Sequence, residues 1–369
     1  MVDPVVLVGH PCAPIGMGEL LRSTFRSLRA VGEDVRVLDV YGGRQDSDFY
    51  LEFKEFMVDR AGDGVNVFCI NGDEVAPILA HLGERGEGGR RRVVYPAWEL
   101  PNYPAEWARQ LERFDEAWAA SAYIAQAIAP AIKREVHVVP LATDIRAVRA
   151  RGRRSFGIPD EAVAFLSLFD LSSYIDRKNP FGALEAFRRM RASGAGGNAK
   201  FVVKMNSSHA KPADRRRFLD FLAPFGDQVI VIDQTFPDAD VKALHHCVDV
   251  FVSLHRAEGY GFGIAEAMFL GKPAVATGYS GNMEFMREDN SFPIASRLIA
   301  VPRDAYPFWQ GQEWADPDLD HAAAAMARLA EDRALREEVG RRASEHIRRH
   351  FSFRATGLKI AERLRAPAG

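Results

Sequence analysis

Two carboxylates, Glu258 and Glu266, stand with seven residues between them, and the chain there alternates Gly259, Gly261 and Gly263 with Tyr260 and Phe262. The apolar run Val250-Phe251-Val252 comes just before and reads as a buried strand. Glu266 is expected on the first turn of a following helix, which Gly271 and Pro273 bring to an end. A glycine-rich turn between strand and helix leaves backbone N–H groups uncovered, here those of Gly261, Phe262 and Gly263, and the positive end of the helix dipole points the same way. Such a junction suits a phosphate. Carboxylates on both sides of an anion pocket need a second reason, and a sugar nucleotide supplies one, since it carries hydroxyls beside a diphosphate. Taken singly, Glu266 could be a first-turn acid complementing the dipole and Glu258 a solvated loop residue; the whole block favours the ligand reading.

Cations follow the first strand of the same half. Arg177 and Lys178 lie directly before a helix with Pro180 in its first turn. Two positive charges at a helix N-terminus would neutralise much of a diphosphate and stabilise it as a leaving group. Lys204 and Asn206, expected just past the next strand, lie at the sheet edge, where they could meet phosphate or base. Ser280-Gly281-Asn282 predicts a second cluster of N–H groups at a helix start, facing phosphate. In the first half, Gly16-Met17-Gly18 partly matches a dinucleotide fingerprint without its third glycine, and a tight packing turn is the alternative. Trp98 and Glu99 occupy a proline-bounded loop past a strand, where an indole could stack on a sugar and a carboxylate accept its hydroxyl protons. Asp46-Ser47-Asp48 spells an Asp-X-Asp metal motif, but lies in a polar loop far in sequence from Glu258 and Glu266; it reads as a chance match, and no metal is expected.

The spacing of Glu258 and Glu266, within EGYGFGIAEAM and GKPAVAT, resembles the signature of retaining GT-B glycosyltransferases, glycosyltransferase family 4. The resemblance implies that Glu266 holds the ribose hydroxyls of the donor nucleotide and that Glu258 lies against the donor sugar. It implies retention of configuration, with Glu258 positioning the sugar while the leaving phosphate helps deprotonate the acceptor on the same face. It places the glycine loop of Gly16 and Gly18 near donor phosphates and acceptor, and W-E-L stretches in some members point Trp98 and Glu99 to the acceptor. The family sets an arginine several residues before the lysine, where this chain has Ser172 or Ser173, and Arg177 adjoins Lys178 instead. Many members carry a histidine where this chain has Asn71. The RKNP and SGNME stretches are similar to bacterial polysaccharide mannosyltransferases, which makes GDP-mannose the preferred donor, with UDP- and dTDP-sugars as alternatives. The acceptor is expected to be a glycan, a lipid-linked sugar or a small molecule. The alternatives are a sugar-nucleotide epimerase of the same fold and an inactive binding subunit.

Positioning these residues calls for a layered α/β chain. The 369 residues suit about two domains. Val5 to Val8 followed by a glycine loop, a helix from about Glu19 to Ala30 and a strand at Val35 to Leu38 starts a doubly wound sheet. The alternation repeats from Ala162 onward, predicting two Rossmann-like domains facing each other across a cleft, the GT-B fold. The expected boundaries are 1–145 for an acceptor-side domain, 146–345 for a nucleotide-sugar donor domain, and 346–369 for a C-terminal helix crossing back, part of one amphipathic helix from Leu335 to Leu364. A formal charge of −2 gives no reason to expect nucleic acid as a partner. Cys12, Cys69 and Cys247 are unpaired in spacing, which fits a reducing compartment. With no basic leader and no apolar span, the expected location is cytoplasmic. Arg22, Arg26 and Arg29 recur along one side of the first helix and could touch the inner face of an anionic membrane.

Overall fold

The computed structural model describes residues 3–42, 49–145, 148–171, 173–206 and 211–366. The chain divides into two compact units, Met1–Thr143 with Arg349–Gly369, and Asp144–Arg348.

The first unit is built on six parallel strands, β1 (Val5–Gly9), β2 (Val35–Asp39), β3 (Val65–Cys69), β4 (Arg91–Val94), β5 (Glu116–Ala119) and β6 (Glu135–Val138), in spatial order β2-β1-β3-β4-β5-β6. β1 and β3 are buried at every position, because helices cover both faces of a parallel sheet and leave no side for polar alternation. The first helix spans Gly16–Ala30, three residues longer at its start than the apolar pattern predicts, so Gly16 and Gly18 belong to its first turn and not to a loop. The single tail helix expected over Leu335 to Leu364 is two helices, Arg333–His350 and Phe353–Arg365. Ser352 breaks it: extended in backbone, it caps the second helix by accepting from the Ala355 N–H at 3.3 Å. That last helix packs against the first one, close enough that a Cβ on Gly357 would fall 2.1 Å from the Ser27 carbonyl oxygen.

The second unit repeats the plan with β7 (Ala164–Asp170), β8 (Lys200–Asn206), β9 (Val229–Asp233), β10 (Val250–Ser253), β11 (Ala274–Thr277) and β12 (Phe292–Ile294). All six are parallel, in order β12-β11-β10-β7-β8-β9. The direction of winding reverses between β7 and β10, and ligands of such sheets bind at the carboxyl ends of the strands at this switch point. A phenylalanine-rich core holds the sheet, with Phe165, Phe187, Phe201 and Phe218 fully buried. An antiparallel hairpin, β13 (Ser296–Ala300) with β14 (Glu313–Pro317), extends the unit. Its first strand is mostly exposed and shows no apolar alternation, so the sequence pattern does not reveal it. Among the described residues no helix is long and apolar enough to cross a membrane.

Candidate active site

The loops after β7 and β10 are sewn together by hydrogen bonds. Past β7 the chain makes one helical turn, Ile175–Lys178, then passes through Asn179 in the left-handed region (φ 49°) before Pro180 opens the helix Pro180–Ala192. Asparagine tolerates that conformation. Its side chain does two jobs: Oδ1 accepts from the Gly182 N–H at 3.1 Å, capping the helix, and Nδ2 donates to the Leu254 carbonyl at 2.7 Å. The Arg256 N–H donates to the Arg177 carbonyl at 2.8 Å, and Arg177 Nη1 donates to the Ala257 carbonyl at 3.0 Å. Arg177 also donates from Nη2 to the carbonyl of Ser173 at 3.2 Å; Ser172 lies outside the described residues.

These bonds carry Glu258 between the two cations. The Lys178 ammonium contacts Oε1, and Arg177 Nη1 lies 3.5 Å from Oε2. Glu258 is 8% exposed. Burial alone would raise its pKa, but Lys178 first and Arg177 second outweigh it and hold the carboxyl down to about 2. Behind it, the Glu258 N–H donates to Ser280 Oγ at 2.8 Å and its carbonyl accepts from the Gly281 N–H at 2.9 Å.

Gly261, at φ 96°, turns the chain into the helix Phe262–Phe269. The N–H groups of Phe262 and Gly263, the first two of that helix, find no protein acceptor among the described residues. Glu266 is the fifth residue of the helix, one turn beyond its expected place, because the helix starts as soon as Gly261 permits. It is 9% exposed and paired with Lys242. The helix closes as expected at Gly271 (φ 74°), with Gly271 and Lys272 N–H donating to the Met268 and Ala267 carbonyls at 3.0 and 2.9 Å.

Several expected contacts are corrected. Of the Ser280-Gly281-Asn282 amides, that of Gly281 is taken by the Glu258 carbonyl; the Asn282 side chain, fully buried, donates from Nδ2 to the Thr277 carbonyl at 2.9 Å and pairs its Oδ1 with His255 Nε2 at 3.0 Å. Gly281 is a contact point, since a Cβ there would fall 1.8 Å from the Gly259 carbonyl oxygen. Lys204 and Asn206 are inside β8, not past it. Lys204 is 5% exposed, its ammonium donating to the Met205 carbonyl at 3.1 Å and lying 5.1 Å from the Phe236 ring centre. Asn206 is half-buried and donates to Asp170 Oδ2 at 3.0 Å.

In the first unit, Trp98 is a core residue and not a stacking platform. It is 2% exposed, edge-on to Tyr103 and Trp107, and its indole N–H donates to the Asn102 carbonyl at 3.1 Å. Glu99 is half-buried, its carbonyl accepting from the Tyr123 hydroxyl at 3.2 Å. Gly16 is exposed and Gly18 buried against the Ala13 carbonyl. Asn71 accepts from the Ala97 N–H at 3.0 Å, and beside it Glu74 accepts from His10 Nε2 at 2.9 Å, a pairing the sequence does not signal. Of the arginine stripe, Arg22 is buried on the Pro11 and Ala13 carbonyls, Arg26 forms a forked pair with Glu52 at 2.7 and 2.8 Å, and Arg29 is exposed over the Phe56 ring. Asp46-Ser47-Asp48 lies outside the described residues.

Two further groups go unannounced by any motif. One is Lys242. The other is an aromatic pair, Tyr174 in the left-handed region (φ 62°) and Tyr306 from the β13–β14 loop, with ring centres 4.7 Å apart; Tyr306 also lies 5.7 Å from the Arg177 guanidinium.

Two doubly wound parallel sheets, with a carboxylate, cations and a glycine turn at a switch point, make this a GT-B fold of the glycosyltransferase type. The model of the family described as Glycosyl transferases group 1 matches residues 153–346, just over half of the chain, and the chain belongs to that family. A trehalose synthase of Rubrobacter xylanophilus is 23% identical over 188 residues, 50% of this chain and 39% of that protein, so the chain spans about two fifths of the curated relative it matches. Among solved structures, Anabaena Alr3699/HepE in complex with UDP-glucose superposes with a TM-score of 0.70 at 15% identity, over 98% of this chain and 99% of that one. Sucrose-phosphate synthase from Thermosynechococcus elongatus gives 0.69 at 15% identity over 98% of each chain.

Proposed function

We propose that the chain is a retaining glycosyltransferase of family 4, which moves a sugar from a nucleotide-sugar donor to a hydroxyl of a glycan, a lipid-linked sugar or a small molecule. One observation carries the reading: Glu258, buried and ionised between Lys178 and Arg177, stands where the second sheet reverses its winding, beside helix N–H groups with no protein acceptor. Lys178, Arg177 and the amides of Phe262 and Gly263 receive the diphosphate. Their charge stabilises it as the glycosidic bond breaks and the electron pair passes to the leaving phosphate oxygen. Glu258 faces the sugar, fixing its position and opposing the positive charge that develops at the anomeric carbon. The departing phosphate takes the acceptor proton on the same face. Glu266 holds the ribose hydroxyls. The unit Asp144–Arg348 is then the donor domain, and the loop leading to Gly16 and Gly18, with Glu99, serves the acceptor.

GDP-mannose is the preferred donor, on the RKNP and SGNME stretches. A thermal-shift panel of GDP, UDP and dTDP tests both the site and the base, because a ligand that binds only the folded state raises its apparent stability. GDP should give the largest shift. Glu266→Ala should abolish most of that shift, whereas Glu258→Ala should leave it and remove turnover. Equal loss of both properties in both variants would contradict these roles.

A further inference from the structure

Nothing in the sequence marks Lys242, yet its ammonium meets Glu266. It lies one turn into the helix Asp238–Cys247, its ammonium on Glu266 Oε1 and 3.1 Å from Asp238 Oδ1. The side chains of Lys242 and Glu266 are 12% and 11% exposed, so water screens their attraction only weakly. On the other side stands His245, fully buried and stacked on Phe251 with ring centres 5.2 Å apart. Burial first, then Lys242 and Lys272, push its pKa down to about 3, so the ring is neutral. Its Nε2 lies 4.0 Å from Glu266 Oε2, beyond hydrogen-bond reach. The carboxylate is thus fixed by a cation at one oxygen and bordered by a neutral ring at the other.

A ribose presents two neighbouring hydroxyl donors. A carboxylate has room for about four hydrogen bonds, and Lys242 takes one of them. Without that cation, a carboxylate this covered would lose a counter-charge against its desolvation, which favours protonating or turning toward water. Either change costs the ribose an ionised acceptor at a set angle.

We propose that Lys242 is the positioning residue of the ribose site: it holds Glu266 ionised and turned to receive both hydroxyls, and so sets a preference for ribonucleotides over 2′-deoxyribonucleotides. The proposal rests on the assignment of Glu266 to the ribose. Calorimetric titration with GDP and 2′-deoxy-GDP tests it on the whole chain, using the wild type, Lys242→Met, Lys242→Arg and Glu266→Gln. The wild type should bind GDP about tenfold or more tightly than its deoxy analogue, as expected when a hydrogen bond to a charged group is lost. Lys242→Met should bring that ratio close to one by weakening GDP alone, and Lys242→Arg should restore it. Should the methionine variant not fold, the arginine variant still decides by keeping or losing the ratio. Equal weakening of both nucleotides in Lys242→Met would make the lysine merely structural and overturn the proposal. An unchanged ratio there, with a collapsed one in Glu266→Gln, would overturn it while leaving the ribose assignment intact. A ratio near one in the wild type, or one untouched in Glu266→Gln, would instead remove the ribose assignment itself.

Discussion

Glu258 is ionised because two cations reach it, and its titration follows from that. Its pKa falls from 4.5 to about 2 on folding, so the native state binds the proton less readily than the unfolded one. The resulting stability is complete above pH 4.5 and is lost as pH falls through about 2. Glu258→Gln should therefore flatten acid destabilisation within that window, measured as urea midpoints from pH 4.5 to 2, and leave the slope near neutrality unchanged. In turnover the same variant should lose about a hundredfold in kcat, the scale of removing one preorganised electrostatic group. A kcat within twofold of wild type would show that the carboxylate does not face the reacting carbon. His245 acts with the same sign: neutral in the fold to about pH 3, it costs stability as pH drops below 6.5, where the unfolded ring protonates.

At the level of elements, the site depends on how closely two loops approach. The Gly281 Cα passes over the Gly259 carbonyl with no room for a methyl group, and its N–H holds the carbonyl of Glu258. Gly281→Ala should push the glycine turn away from the Ser280 loop, lowering kcat/KM by about tenfold or more, with a smaller change in Tm, since misplacement near 1 Å is costly in catalysis. Activity equal to wild type would mean that the two loops move independently. The glycine turn, its helix and both glutamates are legible in the sequence because alternating glycines and a strand-helix junction leave a local signature. Asn282, Lys204 and Trp98 were legible as residues but not as contacts. Each is a polar or aromatic group near a strand end, and whether it turns outward is decided by packing partners that periodicity does not reveal: His255 and Thr277 for Asn282, Phe236 for Lys204, Tyr103 and Trp107 for Trp98. Lys242 and the β13–β14 hairpin had no local signature, the first being an ordinary helical lysine and the second opening on an exposed strand without apolar alternation.

For the molecule as a whole, two parallel sheets follow from apolar runs punctuated by helices, while the order of the strands within each sheet is not contained in that alternation. What local pattern cannot contain is the tie that binds distant segments. Glu116, 1% exposed at the start of β5, accepts from Arg91 Nη2 at 2.8 Å through both oxygens and contacts the Arg363 guanidinium on the last helix. Removing the carboxylate leaves a buried Arg91 without its counter-ion. Glu116→Ala should cost about 3–5 kcal/mol by urea unfolding; a loss under about 1 kcal/mol would show that the backbone carbonyls around Arg91 suffice.

The turn between Glu258 and Glu266 is proposed to grip the diphosphate of a sugar nucleotide. A crystal structure with bound GDP tests it most directly. The predicted result has phosphate oxygens on the Phe262 and Gly263 amides and the Lys178 ammonium, with the ribose hydroxyls on Glu266. Nucleotide bound elsewhere in the chain, with those amides and Glu266 untouched, would contradict the account.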